Sequence, residues 1–196
     1  MLGDILIPFV LAPFYKGYSH TSMTISALGN PGSPVRTVFN LWMLAEGVLF
    51  LLSLPAIYDH YRNVSEALTV IVIVFVVLFA VGACIITCFF SVNETKDKVT
   101  TASKIHGIGS VTGFMVFLSV PLLISVLEFG SGDPVLGVTA AVSFAVSLAF
   151  FVLFVMSDKP KFADTIIASE GLWQRLNILF MYLPLIVVSS KCISGT

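Results

Sequence analysis

The chain has 196 residues, 57% of them hydrophobic and 11% charged, with a mean hydropathy of +1.01 and a formal net charge of −1. Soluble globular domains carry about 25% charged residues, so this composition excludes that class and specifies an integral membrane protein. At about 20 residues per span there is room for about five to seven helices in one domain, and no basic run supports nucleic-acid binding.

Taken in order, residues 2–20 hold the first candidate span. Its apolar part stops at Tyr15 and is broken by Pro8 and Pro13, so it reaches about 20 Å against a hydrocarbon core of about 30 Å. It is expected to be short or re-entrant, with Gly17 to Ser22 as candidate last turns. Gly17 to Asn40 follows, polar but hardly charged and rich in turn residues (Asn30-Pro31-Gly32, Ser33-Pro34). It reads as a folded loop on one end of a helix bundle, its backbone groups satisfied by Ser and Thr hydroxyls. Further spans are predicted at 38–57, 67–92, 105–127 with a kink at Pro121, 135–156 and 172–188. The fold class is therefore an all-α integral membrane protein, a compact bundle of about six transmembrane helices. The three cysteines form no framework; Cys84 and Cys88 read as small packing residues.

With six spans the connections alternate sides. Lys16, Arg36, Lys96, Lys98, Lys104, Lys159, Lys161 and Arg175 fall on one face, Arg62 and Lys191 on the other. Eight against two predicts a cytoplasmic location for the first face, hence a multi-pass protein of a cytoplasmic (inner) membrane with both termini outside. The triplets Asn63-Val64-Ser65 and Asn93-Glu94-Thr95 read as chance glycosylation motifs.

Polar residues inside the spans carry the functional information. Glu46 lies about ten residues into the second span, where an ionised acid costs several kcal/mol unless paired, hydrated or protonated. It is read either as a proton- or ligand-linked group or as a protonated acid bonded to a neighbouring helix. Asn40 sits about 120° away round the helix, flanking Glu46 rather than sharing its face. His106 opens the fourth span on one face with Gly109 and Gly113, a small-xxx-small pair that admits another helix closely. At the mouth of the last span, Glu170, Gln174 and Arg175 present an acid, an amide and a guanidinium over two turns. Arg175 either snorkels to lipid phosphate or binds an anion in a pocket with His106, Asn40 and Ser26 of the polar stretch.

Other chemistry finds less support. No nucleophile-elbow spacing accompanies the serines. His20, His106 and Glu94 or Asp97 have metal-ligand chemistry without HxxxH or CxxC spacing, so no metal is assigned. Haem would want two inward histidines, and only His106 qualifies. No cofactor is assigned, and enzyme activity is left open but less favoured than binding.

Ser26-Ala-Leu-Gly29 with a downstream Gly32-Ser-Pro and Asn40, the pair His106-Gly107, and Gly171-Leu-Trp-Gln-Arg175 occur in an order and spacing that resembles the prokaryotic membrane family catalogued as domain of unknown function 998. The resemblance covers nearly the whole chain and implies about six spans. It implies no activity, substrate or cofactor, and the abbreviated first span departs from the pattern.

The leading expectation is a polar pocket at the cytoplasmic leaflet that binds, and in an extended form processes or moves, a lipid headgroup or small anionic amphiphile. Its candidate residues are Ser26, Asn40, Glu46, His106, Gln174 and Arg175, with membrane lipids as partners. A small proton-coupled transporter using Glu46 is the first alternative. The second is an accessory or regulatory subunit, homo-oligomeric or bound to another membrane protein through its glycine and Cys84/Cys88 faces.

Overall fold

In a hydrocarbon core every backbone polar group needs an internal partner, and the chain meets this with helices alone among its described residues. The structure, a computed structural model, describes residues 1–95 and 98–194. Lys96, counted among the charges of one face, and Asp97, weighed as a metal ligand, lie outside them. Six helices organise the fold: α1 (Leu2–Leu11), α2 (Arg36–Tyr61), α3 (Glu66–Phe89), α4 (Thr101–Ser131), α5 (Pro134–Ser157) and α6 (Glu170–Ser194). The last five are long and apolar enough to cross a membrane; α1 is the short one.

The boundaries differ from the expected ones for local reasons. Past Leu11 the chain makes one 3-10 turn, Ala12–Phe14, and Gly17 adopts φ +86, so Gly17 to Ser22 form a bend and not the last turns of a span. Helix α2 runs through Pro55 to Tyr61, four residues past the predicted end at 57. Helix α4 begins at Thr101, four residues before the predicted start, because Thr100 and Ser103 close a reciprocal capping box. It breaks at Leu118–Ser119, just ahead of Pro121, as the kink prediction required.

With lipid as apolar as leucine, the helices associate through close packing and polar contacts. Helices α3 and α4 meet backbone to backbone: a Cβ on Gly82 would stand 2.5 Å from the Gly109 carbonyl oxygen, and one on Gly109 2.7 Å from that of Gly82. At this crossing α3 widens into a π-helical stretch, Ala80–Ile85. The aromatic centre lies beside it. Phe79 and Phe117 pack at 4.4 Å between ring centroids, and Phe50 and Tyr182 lie edge-on or tilted within 6.0 Å. The glycines and cysteines that an accessory subunit could offer a partner are thus used within the chain: Cys84 is 1% exposed and Cys88 9%.

Helix α1 packs antiparallel on α2. The Gly3 backbone abuts the Trp42 ring, and the Met1 amine lies 3.0 Å from Glu46 Oε1. Helices α5 and α6 form an extended pair, against which only the second half of α4, Val120–Ser131, packs closely. Its first half, Thr101–Phe117, packs on α3, with no comparable contact to α5 among the described residues. The break at Leu118–Ser119 therefore opens a wedge between the start of α4 and the end of α5.

Candidate functional site

That wedge holds a cavity of about 1140 Å³, at or above the upper end of the ~300–1,000 Å³ common for small-molecule sites. It opens where α2, α4 and α6 begin and where α3 and α5 end. One wall is the α3 stripe Phe79, Ala83 and Thr87, continued by Ser91 two residues past the helix end. The stripe grades from phenyl to hydroxyl toward the helix end. Phe79, Phe114 and Met43 line the inner part; Lys98, Lys104 and Lys159 lie on its charged side. Val111, Met115 and Val155, at the wedge, are exposed on the outer surface of the bundle, so the hollow also opens sideways toward the surrounding lipid.

Four of the six predicted site residues line this one cavity: Ser26, Asn40, His106 and Gln174. The polar stretch reaches it because Ile25–Gly29 forms a 3-10 turn docked on two helices. Gln174 Oε1 accepts the Ile25 N–H at 2.7 Å, and the bare Gly29 backbone lets Asn40 approach, since a Cβ there would stand 2.6 Å from Asn40 Oδ1. Ser26 Oγ lies 3.1 Å from Thr24 Oγ1. His106, 7% exposed, is held through Nδ1 at 2.8 Å from the Phe90 carbonyl oxygen.

Arg175 and Glu46 are placed elsewhere. The Arg175 guanidinium donates to the carbonyl oxygens of His20 (2.7 Å), Met23 (3.1 Å) and Gly171 (2.8 Å) and to the Tyr18 hydroxyl. It fastens the polar stretch to α6. Burial, reinforced by this cation, holds the His20 imidazole below its usual range, and burial pushes the Tyr18 phenol up. Glu46 is 1% exposed and lies behind the cavity wall. Asp4, a wall residue, accepts from Tyr182 at 2.9 Å, and Glu46 Oε2 has no hydrogen-bond partner.

Several lining residues escaped the sequence reading. Ser91, at the end of the α3 stripe, is 7% exposed and its Oγ has no hydrogen-bond partner. Lys98, Lys104 and Lys159 entered only the charge count; among the described residues none has a carboxylate within 4.0 Å, whereas Asp158 and Glu170 are already engaged. Ser91 lies past the end of α3, so helical spacing offered no signal for it. Among the described residues no group of three or more His, Cys, Asp or Glu side chains could hold a metal ion.

The opposite end carries a smaller cleft of about 420 Å³. Glu128, 3% exposed, accepts from the Tyr61 hydroxyl and from Ser131 Oγ at 3.3 Å, with His60 Nε2 3.8 Å away. Lys191 pairs with Asp133, and Cys192 Sγ lies 3.6 Å from His60 Nδ1. These residues close the loops between helices and tie α6 to α2 and α5.

A helical bundle with five membrane-length helices and a short apolar first helix defines a multi-pass membrane protein. The chain matches, over residues 3–191, the family described as "Protein of unknown function (DUF998)", and it belongs to that family. No curated protein and no solved structure matches it.

Proposed function

We propose that this protein binds a membrane amphiphile with an anionic head, taking it from the bilayer through the wedge between α4 and α5. The observation that carries this reading is the graded cavity: hydroxyls, an amide, His106 and three lysines at the membrane-surface end, beside Glu94 and the already engaged Asp158 and Glu170, with phenyl rings and Met43 within and a side opening among exposed apolar residues. Lysine ammonium groups with no carboxylate within 4.0 Å among the described residues suit a phosphate or carboxylate head, and the inner part suits an acyl chain. The charge asymmetry supports a cytoplasmic placement of this end.

The test is lipid retention by the chain purified in mild detergent, read by native mass spectrometry. An anionic phospholipid is expected to stay bound, and Ser110→Trp, which fills the cavity from α4, should release it. A wild-type protein that carries no lipid and a Ser110→Trp protein that behaves identically would reject the reading.

A proton-linked transporter is the second reading, favoured by one feature: Asp4 lines the cavity, and the partnerless Glu46 Oε2 lies in the buried cluster behind it. It expects Glu46→Gln to abolish proton-driven amphiphile movement in proteoliposomes while leaving binding intact.

A further inference from the structure

His106 contributes to the cavity through one ring nitrogen whose role is fixed by the other. Nδ1 stands 2.8 Å from the Phe90 carbonyl oxygen, and a carbonyl can only accept, so Nδ1 carries the proton. A charged imidazolium would be 7% exposed with no carboxylate within 4.0 Å among the described residues, which is a costly burial. The ring is therefore the neutral tautomer protonated on Nδ1, and Nε2 offers a lone pair. That makes His106 an acceptor, in contrast to the anion-contacting role that its residue type suggested.

Ser91 supplies the complementary group. It follows the residue that fixes His106, lines the same cavity, and its buried Oγ has no hydrogen-bond partner. A hydroxyl both donates and accepts. A buried hydroxyl without a partner is uncommon and calls for one. An anionic oxygen could accept from Ser91 but has nothing to give Nε2. A ligand hydroxyl satisfies both, donating to His106 and accepting from Ser91. A ligand ammonium could also donate to Nε2, but it cannot accept the Ser91 proton.

Resting on the amphiphile reading above, we infer that His106 and Ser91 form a hydroxyl-recognition subsite, so that the bound amphiphile carries an alcohol on its anionic head, as a glycerol or other polyol phosphodiester does. The lysines hold the phosphate charge while His106 and Ser91 read the hydroxyl. Discrimination follows because a head lacking the hydroxyl leaves the buried Ser91 Oγ without a partner and Nε2 without its donor.

The experiment is a competition in detergent micelles, read by native mass spectrometry, between phosphatidylglycerol and phosphatidylmethanol of the same acyl chains. Both carry one phosphodiester charge, and only the first has head hydroxyls. The wild-type chain is expected to prefer phosphatidylglycerol by about tenfold. Ser91→Ala removes an atom that no protein group uses and should cut the preference severalfold without loss of fold. His106→Phe should bring it close to unity, with phosphatidylmethanol retention preserved. Equal retention of both lipids by the wild type, or a preference that survives both substitutions, overturns the subsite and leaves the amphiphile reading standing. Retention of neither lipid overturns both.

Discussion

Arg175 fastens the chain to itself. Its guanidinium crosses from α6 to the His20 and Met23 carbonyl oxygens and the Tyr18 phenol while also bonding the Gly171 carbonyl of its own helix, and planar donors in a fixed fork make that reach which a lysine cannot copy. Arg175→Lys is therefore expected to destabilise the fold by about 2 kcal/mol, seen as a lower midpoint in thermal denaturation followed by size-exclusion chromatography. Asp133 gives a second residue-level expectation. The Lys191 ammonium and the Leu136 N–H hold its carboxyl below the ordinary value of 3.8. A depressed carboxylate stabilises the fold above the unfolded-state value, and that stabilisation is lost as pH falls through the folded value. The loss of Tm in Asp133→Ala should thus be present at pH 7 and shrink below about pH 4. At this scale the sequence was half legible. Residue type and span position flagged Asn40, His106 and Gln174, because polar groups at such depths are costly. Type alone could not tell that Arg175 turns to main-chain carbonyls, or that Ser91, one serine among many, stands without a partner.

The α3–α4 crossing depends on hydrogen atoms standing where Cβ atoms would otherwise be. Gly109→Leu must push the Gly82 backbone aside, since even a Cβ would lie 2.7 Å from its carbonyl oxygen. Overpacking of this kind costs about 1–3 kcal/mol or more, and because Ala83 and Ser110, each next to a seam glycine, line the cavity, lipid retention should fall with stability. Gly107 is the contrasting case: it lines the cavity, and nothing stands within 4 Å of a Cβ placed there. Gly107→Ala should leave the fold unchanged or stabilise it by about 0.5–1 kcal/mol, as measured by the same thermal assay. The spacing of Gly109 and Gly113 announced a tight contact. The π-helical stretch opposite it did not show in the sequence, because the widening reflects how α3 packs on two neighbours at once. Helix ends were similarly decided by caps: Thr100 with Ser103 started α4 early, and Gly132 at φ +88 ends it.

Across the whole molecule, α2 is a ruler. Asn40 lines the cavity and His60 lines the opposite cleft; 20 residues of helix between them span about 30 Å, the thickness of a hydrocarbon core. Cys192, exposed and 3.6 Å from His60, stands at one surface. Lys104, exposed and lining the cavity, stands at the other. The bundle and its count of long helices were readable from hydropathy, because a span of about 20 apolar residues has few other uses. The half-length α1 was anticipated from Pro8 and Pro13, whereas the wedge was not, since it needs α4 to break and its two halves to choose different neighbours. Which surface faces the cytoplasm depends on charge, and the lysine-rich end is expected to be inside. A membrane-impermeant maleimide applied to intact cells should therefore label Cys192, the exposed one of the three cysteines, while Cys84 and Cys88 stay buried. In a Cys192→Ser background, Lys104→Cys should react only after the cells are permeabilised. The reverse pattern would put the cavity on the outer leaflet, and its lipid would then have to come from there.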